Sequence, residues 1–245
     1  MSDFILKKKV MTINILFNAD DFGLTKGVTD GIVQAHLNGC ISSTTLMMNG
    51  MATDYAVQLA KKVPSLDVGI HLVLTWGGKP VHPDVPGLVD KDGSFKFTNR
   101  YQTEEPPNPE EVKKEWRAQL DAFLATGLPL HHIDSHHHVH GWEPLKQVIL
   151  EIANEYKVPV RYVDSLQDHP EILLTDSLWL DFYGDGIYHE LFGELEKTEG
   201  KSIEIMTHPG IMDEDLVSVS SYTKEREKEL EILCSLESPG WANVL

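Results

Sequence analysis

The feature that most constrains this chain is the alternation of strand-like and helix-like segments along almost its whole length. Residues 12–19 (TINILFNA) form a β-rich apolar run that ends in Asp20-Asp21-Phe22-Gly23. Residues 26–38 carry helical apolar spacing through Val28, Ile32, Val33 and Leu37, and Gly39 is placed to end that helix. The order then repeats, with a strand over 43–49, a helix over 54–62 that stops before Pro64, and a strand over 67–74 (DVGIHLVL). An amphipathic helix over 109–126 sets Val112, Trp116, Leu120 and Phe123 on one side, followed by a short strand over 130–135 and a helix over 143–156. Strands over 158–163 (interrupted by Pro159), 177–182 and 202–208 (SIEIMTH), with helices over 187–199 and 222–236, complete the pattern. Parallel neighbours need a crossover connection, so repeated β-then-α units imply a parallel sheet. Six or seven units predict an α/β fold of the (β/α) barrel type, distorted or incomplete, rather than an open doubly wound sheet.

No break in composition marks a second domain. The 245 residues therefore read as one domain, with an N-terminal extension over 1–11 and a long insertion over 76–109 that is rich in Gly and Pro. The formal net charge is −17, from 21 basic and 38 acidic side chains. Such a surface disfavours nucleic acid and anionic membrane, because phosphate binding depends on Lys and Arg. The one basic run, Lys7-Lys8-Lys9, falls in the extension and reads as a solvated tail. No run approaches the roughly 20 apolar residues of a membrane span, and no secretion signal is evident. Cys40 and Cys234 lie outside any metal-ligand spacing and read as reduced residues of a cytoplasmic protein.

The unusual polar residues fall where the strands end. Asp20 and Asp21 follow the first strand, His71 lies near the end of the third, Asp134 and His136 end the HIDSHHHVH segment, and His208 ends SIEIMTH. In a parallel α/β fold all carboxyl ends of strands meet on one face, where active sites sit. Six of the 12 histidines fall between His131 and His140. Strand alternation would point His132, Asp134 and His136 the same way, and a following turn would bring His138 or His140 to the site as well. Each residue also has a plainer reading: DDFG as a turn, His71 as a satisfied core histidine, THPG as a strand-to-turn boundary. Adjacent carboxylates at Asp20 and Asp21 repel unless a cation sits nearby, and a divalent metal would resolve this. His208 titrates near neutrality and could serve as a general acid. Glu143, Arg161 and Asp164 are further polar residues near element ends with no spacing argument attached. Trp76, Trp142 and Tyr183 fit either a sugar platform or packing.

Five segments, NADDFG (18–23), STTLMMNG (43–50), GIHLVLT (69–75), HIDSHHHVH (132–140) and THPG (207–210), together resemble the YdjC-like carbohydrate deacetylases. The best understood of these act on chito-oligosaccharides. The resemblance spans nearly the whole chain and implies a polysaccharide-deacetylase-like barrel, often dimeric, with a single divalent ion. That ion is usually magnesium in the family, whereas related deacetylases use zinc. By resemblance the metal ligands fall on Asp21, His71 and His136, the catalytic base on Asp20, and an acid or substrate-orienting histidine on His208. Asp134, His138 and His140 stand as additional site candidates. The expected reaction is hydrolysis of an N-acetyl group on an amino sugar, as in chitin degradation, giving acetate and a free amine. A barrel-type metal phosphoesterase is one alternative, although such enzymes open on His-x-His rather than Asp-Asp. A catalytically silent sugar-binding or regulatory protein is another.

Overall fold

The computed structural model describes residues 12–76, 78–188, 190–198 and 200–245; the expected 1–11 extension lies outside them. Strand β1 (Ile13–Phe22) is the centre of the sheet and is buried along nearly all its length. It is followed by α1 (Lys26–Asn38), β2 (Ser43–Leu46), α2 (Thr53–Ala60) and β3 (Asp67–Leu72). Then come α3 (Pro109–Ala125), β4 (Ile133–Ser135), α4 (Lys146–Tyr156), β5 (Ser177–Trp179), α5 (Leu191–Leu195) and β6 (Ser202–Thr207). Helices α6 (Glu214–Val219) and α7 (Lys224–Ser235) and a short β7 (Ala242–Val244) complete the described chain. The sheet runs β4-β3-β2-β1-β6-β5, with β7 paired to the start of β1, and every strand pair is parallel. It curls into a half-barrel with helices around it. The expected incomplete (β/α) barrel is therefore what forms.

Local chemistry accounts for the element ends. Thr25 caps α1 by accepting from the Val28 N–H, and Asn108 caps α3 by accepting from Glu110 N–H, with Pro109 at the first helical position. Glu110 and Glu111 in the first turn of α3 complement the helix dipole. The inner face of α3 carries Val112, Trp116, Leu120 and Phe123, all fully buried, each burial contributing about 1.5–3 kcal/mol. The same face carries Glu115 and Gln119, also fully buried. Glu115 accepts from the backbone of Val81 and His82 at 2.9 and 2.7 Å, and Gln119 brackets Val73 N and O at 2.8 and 2.7 Å. Glu115 thus ties the 76–109 excursion to α3, while Gln119 holds the backbone just after β3, and Trp76 and Asn99 reach the mouth.

Several expectations shift. The strand expected over 158–163 reduces to Val160, which bridges Ile133 on one side and Leu173 on the other; Pro159 has no N–H to donate to a ladder. The helix expected over 187–199 contracts to α5, and α6 and β7 were not anticipated. Asp20 and Asp21 do not follow β1 but lie within it. Among the described residues no helix is long and apolar enough to cross a membrane.

Candidate active site

A regular strand would send Asp20 and Asp21 to opposite faces. The β1–β2 register shifts between Ala19 and Phe22, and Asp21 adopts a left-handed φ of 69°. A bulge of this kind re-aims side chains, and both carboxylates line one cavity of about 550 Å³. The turn that follows needs glycine twice. Gly23 has φ 88°, and a Cβ on Gly50 would sit 2.2 Å from the Gly23 carbonyl oxygen.

Asp21, His71 and His136 converge, with one ligand atom from each all within 4.8 Å of one another. Asp21 Oδ1 lies 3.3 Å from His71 Nε2 and 3.1 Å from His136 Nδ1. Behind His71, Asp134 Oδ1 sits 2.7 Å from Nδ1, and Thr45 donates to the other Asp134 oxygen at 2.9 Å. A carboxylate only accepts, so Nδ1 donates its proton to Asp134, while Nε2 faces Asp21 across the place where a cation would sit. Burial alone would push the His71 pKa down, but Asp134 and the neighbouring aspartates outweigh it and raise it to about 10. The site thus demands positive charge between His71 and Asp21, and the carboxylate–imidazole pair behind it is the arrangement that orients metal-bound histidines. One carboxylate and two imidazoles fit a divalent cation.

Asp20, His71 and Asp134 form a second close set. Here, however, His71 already donates to Asp134, and the space beside Asp20 is taken by Arg161. That guanidinium, fully buried, donates to both oxygens of Asp20 at 2.7 and 2.6 Å, to Glu204 at 2.9 and 2.7 Å, and reaches Asp134 at 2.9 Å. Burial opposes ionisation of Asp20, but Arg161 prevails and holds its carboxyl well below the usual range. Glu204 is left with the weaker share: burial raises its pKa to about 7 despite Arg161.

His208 follows β6, and its Nε2 lies 4.0 Å from Asp20 Oδ2. Burial lowers its pKa to about 4, so the ring is neutral near pH 7. Its backbone N–H donates to Glu229, which also accepts from the Tyr222 hydroxyl at 2.6 Å. Tyr222 stacks on Tyr183 at 4.2 Å between ring centres, and Tyr183 faces His208 at the cavity edge. Arg226 donates to Asp21 Oδ2 at 2.6 Å, and with His136 it keeps that carboxyl ionised against burial.

The expected site residues thus separate. Asp20, Asp21, His71, His136 and His208 meet in one cavity, which His138 also lines. Asp134 stands behind His71. His140 does not reach the cavity: it is fully buried, pairs with Ser135 Oγ through Nδ1 and with the Arg161 carbonyl through Nε2, and burial pushes its pKa to about 3. The chain turns away after His138, taking His140 into the packing. His132 likewise stays off the site, against His131. Trp142 packs on Phe97 and Tyr101, whereas Trp76 and Tyr183 line the cavity.

The roles of Arg161, Arg226 and Glu229 were missed in the sequence reading. Arg226 and Glu229 share the buried stripe of α7 with Leu230 and Leu233. Charges at helical spacing on an apolar face are a signal the sequence does carry.

Comparison with known proteins places this site in a family. The sequence profile of the YdjC-like proteins matches residues 14–243. A carbohydrate deacetylase of Oceanobacillus iheyensis is 55% identical over 94% of this chain and 99% of its own length. One from Brevibacillus brevis is 44% identical over 92% of each chain. The crystal structure of a putative cellobiose-phosphate cleavage protein from Enterococcus faecalis superposes with a TM-score of 0.85, at 35% identity over 91% of each chain. The chain belongs to the YdjC-like protein family.

Proposed function

We propose that this chain hydrolyses the N-acetyl group of an amino sugar, with N-acetylglucosamine units of chito-oligosaccharides as the substrate, releasing acetate and a free amine. The broader reading, a carbohydrate deacetylase acting on an amide bond, is supported by relatives up to 55% identical that bear that name. The observation that carries the proposal is the convergence of Asp21, His71 and His136 beside a spare carboxylate, Asp20, on one cavity wall.

A divalent ion held by Asp21, His71 and His136 would polarise the acetamide carbonyl and acidify a water molecule. Asp20, kept ionised by Arg161 on the cavity wall, would accept the proton of an attacking water. His208 Nε2 lies 4.0 Å from Asp20 Oδ2 on the cavity wall, and its ring is neutral at rest. It orients the substrate and relays the proton from Asp20 to the departing amine. Asp134 fixes the tautomer and tilt of His71, and Arg226 holds the outer oxygen of Asp21. This donor set suits zinc or another transition ion at least as well as magnesium.

The test is acetate release from N-acetylglucosamine oligomers with added divalent metal, for the unsubstituted protein and for Asp20→Asn. Acetate release that Asp20→Asn abolishes, with the ion still bound, supports the proposal. Phosphate release from sugar phosphates without acetate would replace it with the phosphoesterase reading.

A further inference from the structure

Strand β6 ends its ladder with β1 at Thr207, paired with Ala19, so the next backbone N–H, that of His208, has no ladder partner. It donates to Glu229 of α7 instead. Glu229 is fully buried on the inward stripe of α7, and its other oxygen accepts from the Tyr222 hydroxyl at 2.6 Å. That hydroxyl in turn accepts from the Gly184 N–H at 3.0 Å, and Tyr183 stacks on the Tyr222 ring. One carboxyl thus joins the turn after β6 to the loop that carries Tyr183. Two residues beyond His208, the Gly210 N–H donates to the Arg226 carbonyl at 3.1 Å, a second grip by α7 on the same turn.

Neither ring nitrogen of His208 holds that ring in place. Nδ1 is buried with no hydrogen-bond partner among the described residues, and Nε2 stands 4.0 Å from Asp20, beyond hydrogen-bond range. His71, by contrast, is oriented directly by Asp134. The direction of the His208 ring therefore comes from its backbone and from the flanking rings of Tyr183 and Tyr222, at 5.4 and 5.9 Å between centres. Glu229 fixes the backbone directly and the rings through the Tyr222 hydroxyl, although it does not itself line the cavity.

We infer that Glu229 is the positioning residue of His208, setting through the backbone and the Tyr222–Tyr183 pair where that ring meets the departing amine. This rests on the deacetylase reading and adds which buried group aims its proton donor.

The experiment measures acetate release from the β-1,4-linked disaccharide of N-acetylglucosamine by zinc-loaded protein, and zinc affinity by calorimetry. Glu229→Ala is expected to lower kcat about 10- to 100-fold, the cost of misplacing a reacting group by about 1 Å, with KM and zinc affinity changed less than about threefold. Glu229→Gln keeps one oxygen to accept from the His208 N–H and should restore most of that loss. Tyr222→Phe keeps the stack on Tyr183, removes a single hydroxyl and should lower kcat about three- to tenfold; it carries the test if Glu229→Ala does not fold. In a His208→Ala background both losses should vanish. An unchanged kcat, a lost zinc affinity, or losses of the same size with and without the His208 ring overturns the inference. No acetate from the unsubstituted protein, or full activity of His208→Ala, sinks the reading on which the inference rests. The crystal structure of Tyr222→Phe then still tests Glu229: an unmoved His208 ring overturns its positioning role, and a displaced one keeps it.

Discussion

Arg161 is the guanidinium shared by three buried carboxyl groups, Asp20, Asp134 and Glu204, and replacing it with methionine is the most demanding perturbation this site offers. Its guanidinium makes four hydrogen bonds to Asp20 and Glu204 and a 2.9 Å ion pair with Asp134. Methionine keeps most of the volume but leaves Asp20 and Glu204 without their guanidinium partner and Asp134 with His71 alone. Breaking a buried ion pair by removing one partner costs about 3–5 kcal/mol. For a chain of this length that lowers Tm by roughly 6–20 °C, at about 2–4 °C per kcal/mol. The cost is shared unequally, because Glu204 already resists ionisation, with a pKa raised to about 7. Adding Glu204→Gln to Arg161→Met removes one of the repelling groups and should recover about 0.5–3 kcal/mol, the usual range of coupling between contacting residues. Urea or thermal unfolding of the two single variants and the double, followed by circular dichroism, reads both quantities. A loss below about 1 kcal/mol for Arg161→Met, or strict additivity in the double variant, would refute the view that Arg161 neutralises this cluster.

Glu204 also gives the molecule a pH signature. Its folded pKa, about 7, stands above the ordinary carboxyl value of 4.5, so between those values the native state binds more protons than the unfolded one and stability falls as pH rises. Glu204→Gln should therefore be more stable than the unsubstituted protein by roughly 2–4 kcal/mol at pH 8 and about equal to it near pH 5; the same difference at both pH values would contradict this. Asp134→Asn keeps the shape but loosens the hold on His71, and metal affinity measured by calorimetry should fall about 10- to 100-fold; unchanged affinity would remove Asp134 from its orienting role. Burial pushes the Cys40 thiol up to about 12, so at pH 8 Cys40 should react with a disulfide reagent only after denaturant is added, as followed by absorbance. Rapid labelling of Cys40 in the folded protein would count against that burial.

How far the sequence displayed this arrangement depends on how local each cause is. Strand ends that deliver Asp21, His71 and His136 were legible because parallel strands present their carboxyl ends on one side. Helix α1 was legible to the residue, since its cap, apolar spacing and terminal glycine are all local. The placement of Asp20 and Asp21 on one face was not, because it depends on a bulge and on the left-handed backbone at Asp21. Arg161 was visible only as a polar residue near an element end: its value comes from three carboxylates brought from three other strands, a fact of tertiary structure. The opposite error, counting His140 as a site candidate, has the same source. A histidine-rich stretch reads as one cluster until the turn at His137 and His138 sends its last member into the core.

We propose that one divalent ion is gripped by Asp21, His71 and His136 with Asp20 beside it. Anomalous diffraction from zinc-loaded crystals, recorded at the zinc edge, tests it most directly. The expected result is a single peak about 2 Å from a carboxylate oxygen of Asp21 and from one ring nitrogen each of His71 and His136. A peak seated instead among Asp20, His71 and Asp134, or no peak in this cavity at all, would contradict it.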